Sequence, residues 1–383
     1  MSAARFFHNQ NAADYASGAE DSGDGPLRFH RRLPGYAPTP LVDAPELARL
    51  LGIGSVLVKN ESSRLGLPAF KILGASWAVY RALEKFAGQS LEPWRTLDEL
   101  RSRLTKLGPL TLATATDGNH GRAVAHMARL LGLEARIYVP RGTAQARIDG
   151  IASEGARVEI VRGTYDDAVA RAAQDAGARC LVISDTSWPG YEEVPRWVME
   201  GYSTILREID EELAARGAAG PDLVAIQFGV GALAAAVVRH DWAARPKILS
   251  VEPLHAACML ASMEAGEMVN VPGPHDSIMA GLNCGRPSMI AWPIVSRGIE
   301  AFIAIADERA REAMRALAGV GVVAGETGAA GLAGLLELLA GAESARYREA
   351  LQVTEETRAM ILVTEGATDP VGYAEIVRKT ERT

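Results

Sequence analysis

Lys71 stands between two apolar residues, in Phe70-Lys71-Ile72, at the head of a run with apolar residues at helical spacing. A lysine amine forms a Schiff base with a carbonyl when an apolar setting lowers its pKa. Phe70 and Ile72 supply part of such a setting, although a lysine at a helix end also snorkels to solvent with no role at all. A second segment, Thr116-Asp117-Gly118-Asn119-His120-Gly121, joins an apolar run to a helical one. Its small residues let the backbone approach a ligand, and amides at a helix start favour an anion such as a carboxylate. Asn119 offers both a donor and an acceptor. The same residues also make an ordinary capped turn between strand and helix. A third segment, Gly229-Val230-Gly231-Ala232-Leu233, follows the apolar run Leu223–Phe228. A buried strand, two glycines and a helix start make a site for a phosphate. Ala234 is a permitted variant at the third position of a dinucleotide fingerprint and Glu252 follows a later strand, so a dinucleotide remains a rival ligand. No Gly-Lys-Ser/Thr follows the glycines, which excludes a P-loop.

These segments need elements to position them. Short β-branched runs occur at Ser55–Lys59, Thr111–Ala115, Ala135–Val139, Val158–Val161, Leu181–Ser184, Leu223–Phe228, Ile248–Val251, Phe302–Ile305 and Met360–Val363. Between most of them lie helical patterns such as Ala75–Phe86 and Glu308–Leu317. Alternation of this kind predicts an α/β fold with two open, mostly parallel sheets flanked by helices. Such sheets bind ligands beyond the carboxyl ends of their strands, where all three segments fall. Residues 8–35, polar and rich in Ala, Gly and Asp, read as an extended arm outside the packed sheets.

The chain has 383 residues, 48% hydrophobic and 23% charged, with a formal net charge of -7. That is enough for a buried core and more than one domain. An acidic chain with dispersed Lys and Arg is a poor binder of nucleic acid or anionic lipid. No apolar stretch reaches the length of a membrane span, and no apolar segment follows Arg5 as in a secretory signal. Cys180, Cys258 and Cys284 are too few for a disulfide scaffold, and no Cys-x-x-Cys or His-x-x-x-His pair marks a metal site. The expectation is a cytoplasmic metabolic enzyme without a metal.

Taken together and in this order, the segments resemble the fold-type II family of pyridoxal-phosphate enzymes, the tryptophan-synthase-β group. Pro38-Thr39-Pro40-Leu41 is similar to the family's entry segment, Phe70-Lys71 to its lysine, Thr116–His120 to its Asn-His loop, Gly229–Leu233 to its phosphate loop, and Thr364 to the small hydroxyl residue after its last strand. Within the family the chain resembles the diaminopropionate ammonia-lyase branch. That likeness rests on Asn60-Glu61-Ser62-Ser63-Arg64, Ala115–Arg122, Asp185-Thr-Ser-Trp188-Pro-Gly190-Tyr191, Met279–Leu282, Gly325–Ala329 and Thr364-Glu365-Gly366. It covers nearly all of the chain beyond residue 30; Leu67-Pro68 and Thr327 depart from it.

The resemblance implies a large cofactor-binding domain of residues 1–74 and 160–383 and a small domain of 75–159, in a homodimer. It implies that Lys71 holds pyridoxal 5'-phosphate and handles the Cα proton of a small amino-acid substrate. Asn119 would bond the phenolic oxygen, Gly229, Val230, Gly231, Ala232 and Leu233 the phosphate, and Thr364 would face the pyridine nitrogen. Thr116, Asp117, Gly118 and His120 would grip the substrate. The implied reaction removes the β-amino group of 2,3-diaminopropionate to give pyruvate and ammonia; the alternative is a serine or threonine dehydratase. Asp117 favours the first, because the resemblance places a small neutral residue at that position in serine and threonine dehydratases, whose hydroxyl leaving group needs no anionic partner. Asp185, past the strand Leu181–Ser184, is the second candidate acid, although a turn aspartate also fits that place. Glu326, Trp188 and Tyr191 are further pocket candidates, and Cys258 and Cys284, flanking Met279–Leu282, are candidates to pair.

Overall fold

A computed structural model describes residues 4–12, 23–116 and 118–378 of the chain. The chain divides into two compact units, residues 1–21, 38–63 and 205–383, and residues 22–37 and 64–204. Eleven strands are described: β1 Arg5–His8, β2 Leu41–Asp43, β3 Ser55–Asn60, β4 Thr111–Ala115, β5 Glu134–Pro140, β6 Arg157–Val161, β7 Cys180–Val182, β8 Leu223–Gln227, β9 Lys247–Pro253, β10 Ala301–Ile305 and β11 Arg358–Val363. The nine runs expected from the sequence correspond to β3 to β11.

The first unit holds a seven-stranded sheet in the order β1-β10-β9-β8-β11-β3-β2. Its five central strands run parallel, and the two edge strands are antiparallel. The central strands are largely buried and mostly apolar, as a parallel sheet covered by helices requires. Val58, Ala225, Leu249, Ile303 and Ile361 share one core with Leu332, Leu335 and Leu339 of the helix Ala330–Ala340. That helix sits against the sheet because Gly331 and Gly334 face it. A Cβ at Gly331 would lie 3.0 Å from the Ala225 carbonyl, and one at Gly334 would lie 2.3 Å from Val251.

The second unit holds a four-stranded parallel sheet in the order β6-β5-β4-β7. The helix Lys71–Ala87 packs on the helix Asn119–Leu131. It also meets the helix Glu193–Arg216 through Gly74 and Gly201: a Cβ on Gly74 would fall 2.5 Å from the Tyr202 ring, and one on Gly201 would fall 2.4 Å from the Leu73 carbonyl.

Two departures from the sequence reading have physical causes. Residues 22–37, 64–74 and 160–204 belong to the second unit, whereas the resemblance groups them with 205–383. The helix beginning at Lys71 and the strand β7 find their partners there. Nor is the segment 8–35 wholly a loose arm. Gly25–His30 is a helix with Leu27, Phe29 and His30 buried, and Phe29 meets the rings of Trp77, Tyr80 and Trp94. Two apolar side chains two residues apart were enough to dock this short turn. No helix among the described residues is long and apolar enough to cross a membrane.

Candidate active site

Lys71 is the first residue of its helix, which places its side chain at an element's end rather than along a packed face. Its Nζ lies 2.7 Å from Oδ2 of Asp185. The ammonium also lies 5.6 Å from the centre of the Phe70 ring, within cation–π range. Phe70 therefore lies beside the amine, but this contact and the Asp185 carboxylate both favour the charged ammonium and not the lowered pKa expected of an apolar wall. Asp185 itself is buried, in the turn that follows β7. Burial alone pushes its carboxyl up, but the charges of Lys71 and then His120, with bonds from Lys71 and Tyr165, hold it well below the ordinary carboxylate range. The Tyr165 hydroxyl donates to Asp185 Oδ1 at 3.3 Å. His120 Nδ1 stands 3.9 Å from Oδ2.

Two devices hold this carboxylate in place. His120 Nε2 must donate to the Ile183 carbonyl at 2.8 Å, since a carbonyl can only accept, and this fixes the buried ring. Tyr191 donates to the Val182 carbonyl at 2.7 Å, and its hydroxyl accepts from the Ser184 amide at 3.0 Å. The ring of Trp188 stacks on Tyr191 at 4.1 Å. These aromatic residues brace the segment that carries Asp185.

The loop before His120 is shaped by Thr116, whose Oγ1 accepts from the amides of Gly118 at 2.9 Å and Gly121 at 3.0 Å. Gly118 has φ +153° and Gly121 leaves no room for a Cβ, which would lie 2.3 Å from Thr116. Asn119 then opens its helix. Asp117 lies outside the described residues.

In the other unit, β8 runs into Phe228-Gly229-Val230-Gly231 and the helix Ala232–Arg239. Gly231 has φ +100°, and a Cβ there would strike the Phe228 ring at 2.6 Å; one on Gly229 would lie 2.9 Å from the Gly281 carbonyl. The intrahelical ladder begins with Ala235 N to Gly231 O, so the amides of Ala232 and Leu233 belong to the first turn, which the helix itself cannot satisfy. The dinucleotide reading fails here. Both carboxylate oxygens of Glu252 accept backbone amides, from Met259 at 2.7 Å and Leu260 at 2.8 Å, within a buried helix start. The group is spent on capping, and burial pushes its pKa up to about 8. The phosphate reading of the glycine loop is untouched by this.

Thr364, directly after β11, is buried, and its Oγ1 accepts from Nε2 of Gln227 at 2.7 Å. The Gly325–Ala329 and Thr364–Gly366 segments are joined, with Gly325 N bonded to Glu365 O at 3.0 Å and Thr327 N to Glu365 Oε1 at 3.2 Å. Glu326 is half-buried between those bonds. The entry and Asn60–Arg64 motifs are structural in part. Lys59 pairs with Glu208 at 2.7 Å and donates to Thr39 O at 2.9 Å, while the Thr39 hydroxyl donates to Glu61 at 2.5 Å. Cys180, Cys258 and Cys284 are present as thiols, so the structure does not contain the expected pair. Cys258 Sγ lies 3.7 Å from Gly229 O, and a Cβ on Gly229 would lie 3.5 Å from Cys284 Sγ.

Sequence reasoning missed two residues. Gln227 carries a signal, a lone amide in an apolar strand. Tyr165 carries none, because only the fold brings it to Asp185, 20 residues away.

Residues 32–356 match the family model described as pyridoxal-phosphate dependent enzyme. The chain is 37% identical to diaminopropionate ammonia-lyase of Salmonella typhimurium, over 97% of each chain. It is 29% identical to L-serine dehydratase/L-threonine deaminase of Rattus norvegicus, over 62% of this chain and 67% of that one. Among solved structures, the Escherichia coli diaminopropionate ammonia lyase in complex with an aminoacrylate-PLP azomethine reaction intermediate superposes with a TM-score of 0.89 and 33% identity, over 99% of this chain and 97% of that one. With the family model matching residues 32–356 and a diaminopropionate ammonia-lyase 37% identical over 97% of the chain, the chain belongs to the family of pyridoxal-phosphate dependent enzymes.

Proposed function

We propose that the protein is an ammonia-lyase that removes the β-amino group of 2,3-diaminopropionate, yielding pyruvate and two ammonia after hydrolysis. The observation that carries this reading is the Lys71–Asp185 pair, a half-buried amine against a buried carboxylate. The chain's likeness to diaminopropionate ammonia-lyases over 97% of its length supports it. The donor set fits pyridoxal 5'-phosphate: Lys71 Nζ for the aldehyde, backbone amides of Gly229, Val230, Gly231, Ala232 and Leu233 for the phosphate, Asn119 for the phenolic oxygen and Thr364 for the pyridine nitrogen. When bound, this cofactor supplies the electron sink for breaking the Cα–H bond.

The chain's own residues do the rest. Asp185 is a buried carboxylate whose cation is Lys71, and were Lys71 Nζ to hold the cofactor, that carboxylate would favour a second cation beside it. The second ammonium of diaminopropionate supplies that cation, whereas the hydroxyl of serine does not. An anionic Asp185 also keeps the leaving nitrogen protonated, so that it departs as neutral ammonia. Lys71 accepts the Cα proton presented on its own face. Asp117, in the loop that grips the substrate with Thr116, Gly118 and His120, accepts the proton of the opposite enantiomer. Thr116 and His120 serve by fixing that loop. The protein acts as a homodimer, the commonest closed assembly, in the cytoplasm. Dimer formation is checked by light scattering.

A pyruvate-release screen across D- and L-diaminopropionate, serine and threonine tests the reading. Both diaminopropionate enantiomers should exceed serine by about a hundredfold or more in kcat/KM, as a site built around a charged partner rejects analogues lacking it. Serine turnover equal to that of diaminopropionate would make the protein a dehydratase.

A further inference from the structure

Four of the five residues of β8 are apolar and the fifth, Gln227, is equally buried. Its Nε2 lies 2.7 Å from Thr364 Oγ1, 3.1 Å from the Thr327 carbonyl and 3.1 Å from the Leu362 carbonyl. Two carbonyl oxygens can only accept, so the amide nitrogen, not its oxygen, must face them. That fixes the amide's orientation. Its two protons serve three oxygens, one of them shared. Gln227 Oε1, turned the other way, is buried with no hydrogen-bond partner among the described residues. An unsatisfied buried carbonyl is unfavourable, so this amide is kept for its nitrogen and not for its oxygen.

The consequence falls on Thr364. An amide nitrogen cannot accept, so Thr364 Oγ1 presents a lone pair to Gln227 and its own proton points elsewhere. Among the described residues no side chain or carbonyl takes that proton. Thr364 therefore offers a ligand a donor, with one lone pair already committed.

We propose that Gln227 is a positioning residue that sets the polarity of Thr364, so that the threonine hydroxyl donates to the cofactor's pyridine nitrogen and keeps that nitrogen unprotonated. This rests on the reading above that Thr364 faces the nitrogen. With the opposite polarity the hydroxyl oxygen would accept, and the nitrogen would carry a proton. The ring would then be a stronger electron sink, and elimination would compete with transamination. Gln227 thus acts on the choice of reaction through another residue, without touching the substrate.

The test uses holoenzyme loaded with cofactor labelled with 15N at the pyridine nitrogen, and reads that nitrogen's chemical shift. The wild-type shift is expected in the unprotonated range. In Gln227→Glu the carboxylate accepts the threonine proton, so the shift moves toward the pyridinium value. Gln227→Met removes the donor without a charge, leaves Thr364 free to turn, and should weaken cofactor binding about tenfold, measured by titration of the apoprotein. In a Thr364→Val background neither substitution should move the shift further. A protonated nitrogen in the wild type overturns the proposal, as does a wild-type shift in both single variants with cofactor bound. If Gln227→Glu does not fold, the wild-type shift and Gln227→Met decide. Failure of the wild-type protein to take up the cofactor would instead overturn the family-based reading of Thr364, and this proposal with it.

Discussion

Two lysine–carboxylate pairs in this chain have the same 2.7 Å separation and opposite meanings. Lys59 and Glu208 are both almost fully buried, and the backbone of Thr39 completes them, its carbonyl accepting from Lys59 and its amide donating to Glu208 at 3.3 Å. Lys71 keeps 22% of its side chain exposed, while its partner Asp185 keeps 7%. The first amine makes two hydrogen bonds inside the fold and, with 1% of its side chain exposed, is closed to any reagent. The second can leave its carboxylate and be replaced there by another cation. Distance and charge are the same in both; what separates structure from chemistry is how fully the surroundings satisfy the amine and whether a ligand can reach it.

The comparison breaks or sharpens most strongly at Lys71. Lys71→Ala should leave a folded protein with turnover reduced by a factor on the order of 10^4 or more, and borohydride should no longer fix cofactor to the chain. Retained, reducible cofactor on that variant would remove Lys71 from its role. Lys59→Met is the mirror experiment. It strands a buried carboxylate and should cost about 3–5 kcal/mol of stability, read by denaturant unfolding, while the fraction that remains folded keeps its kcat. A Lys59 variant as stable as wild type would make the two pairs alike.

Asp117→Asn keeps size and loses basicity. We expect turnover of D-diaminopropionate to fall roughly a hundredfold, with the L-enantiomer much less affected. Equal losses for both would make Asp117 a shared binding group, and no loss would make it a turn residue. The smallest effect belongs to Tyr165→Phe, which deletes one hydrogen bond to Asp185, worth about 1 kcal/mol or a few-fold in rate. It should lower diaminopropionate turnover more than serine turnover, because only the former uses that carboxylate. A parallel loss on both substrates would reduce Tyr165 to packing.

How much of this was legible follows from the range of each signal. β3 to β11 announce themselves as short runs rich in apolar residues, most clearly in β3, β8, β9, β10 and β11, which are buried on both faces. β1 and β2, four and three residues long at the sheet's edges, have no such composition and were not foreseen. The lysine, the Asn-His loop and the glycine loop are local strings, readable without a fold. The Lys71–Asp185 pair joins residues 114 apart, and nothing local to either one states the distance. Asp185 was nonetheless found, from its place after a parallel strand. Gln227 was overlooked because a strand reading counts apolar neighbours, and the single polar residue among them was the informative one.

β1 has a role that concerns neighbouring molecules and not catalysis. It pairs antiparallel along β10, from Arg5 beside Ala304 to His8 beside Ala301. Without it, the sheet would end in Ala-Phe-Ile-Ala-Ile, an apolar strand with a row of unused amides and carbonyls, the kind of edge that recruits strands from other chains. The covering strand carries Arg5 and His8 at its two ends, and Arg5 reaches Glu264 in an exposed ion pair. Four residues near the start of the chain therefore bear on whether the protein stays dissolved at high concentration.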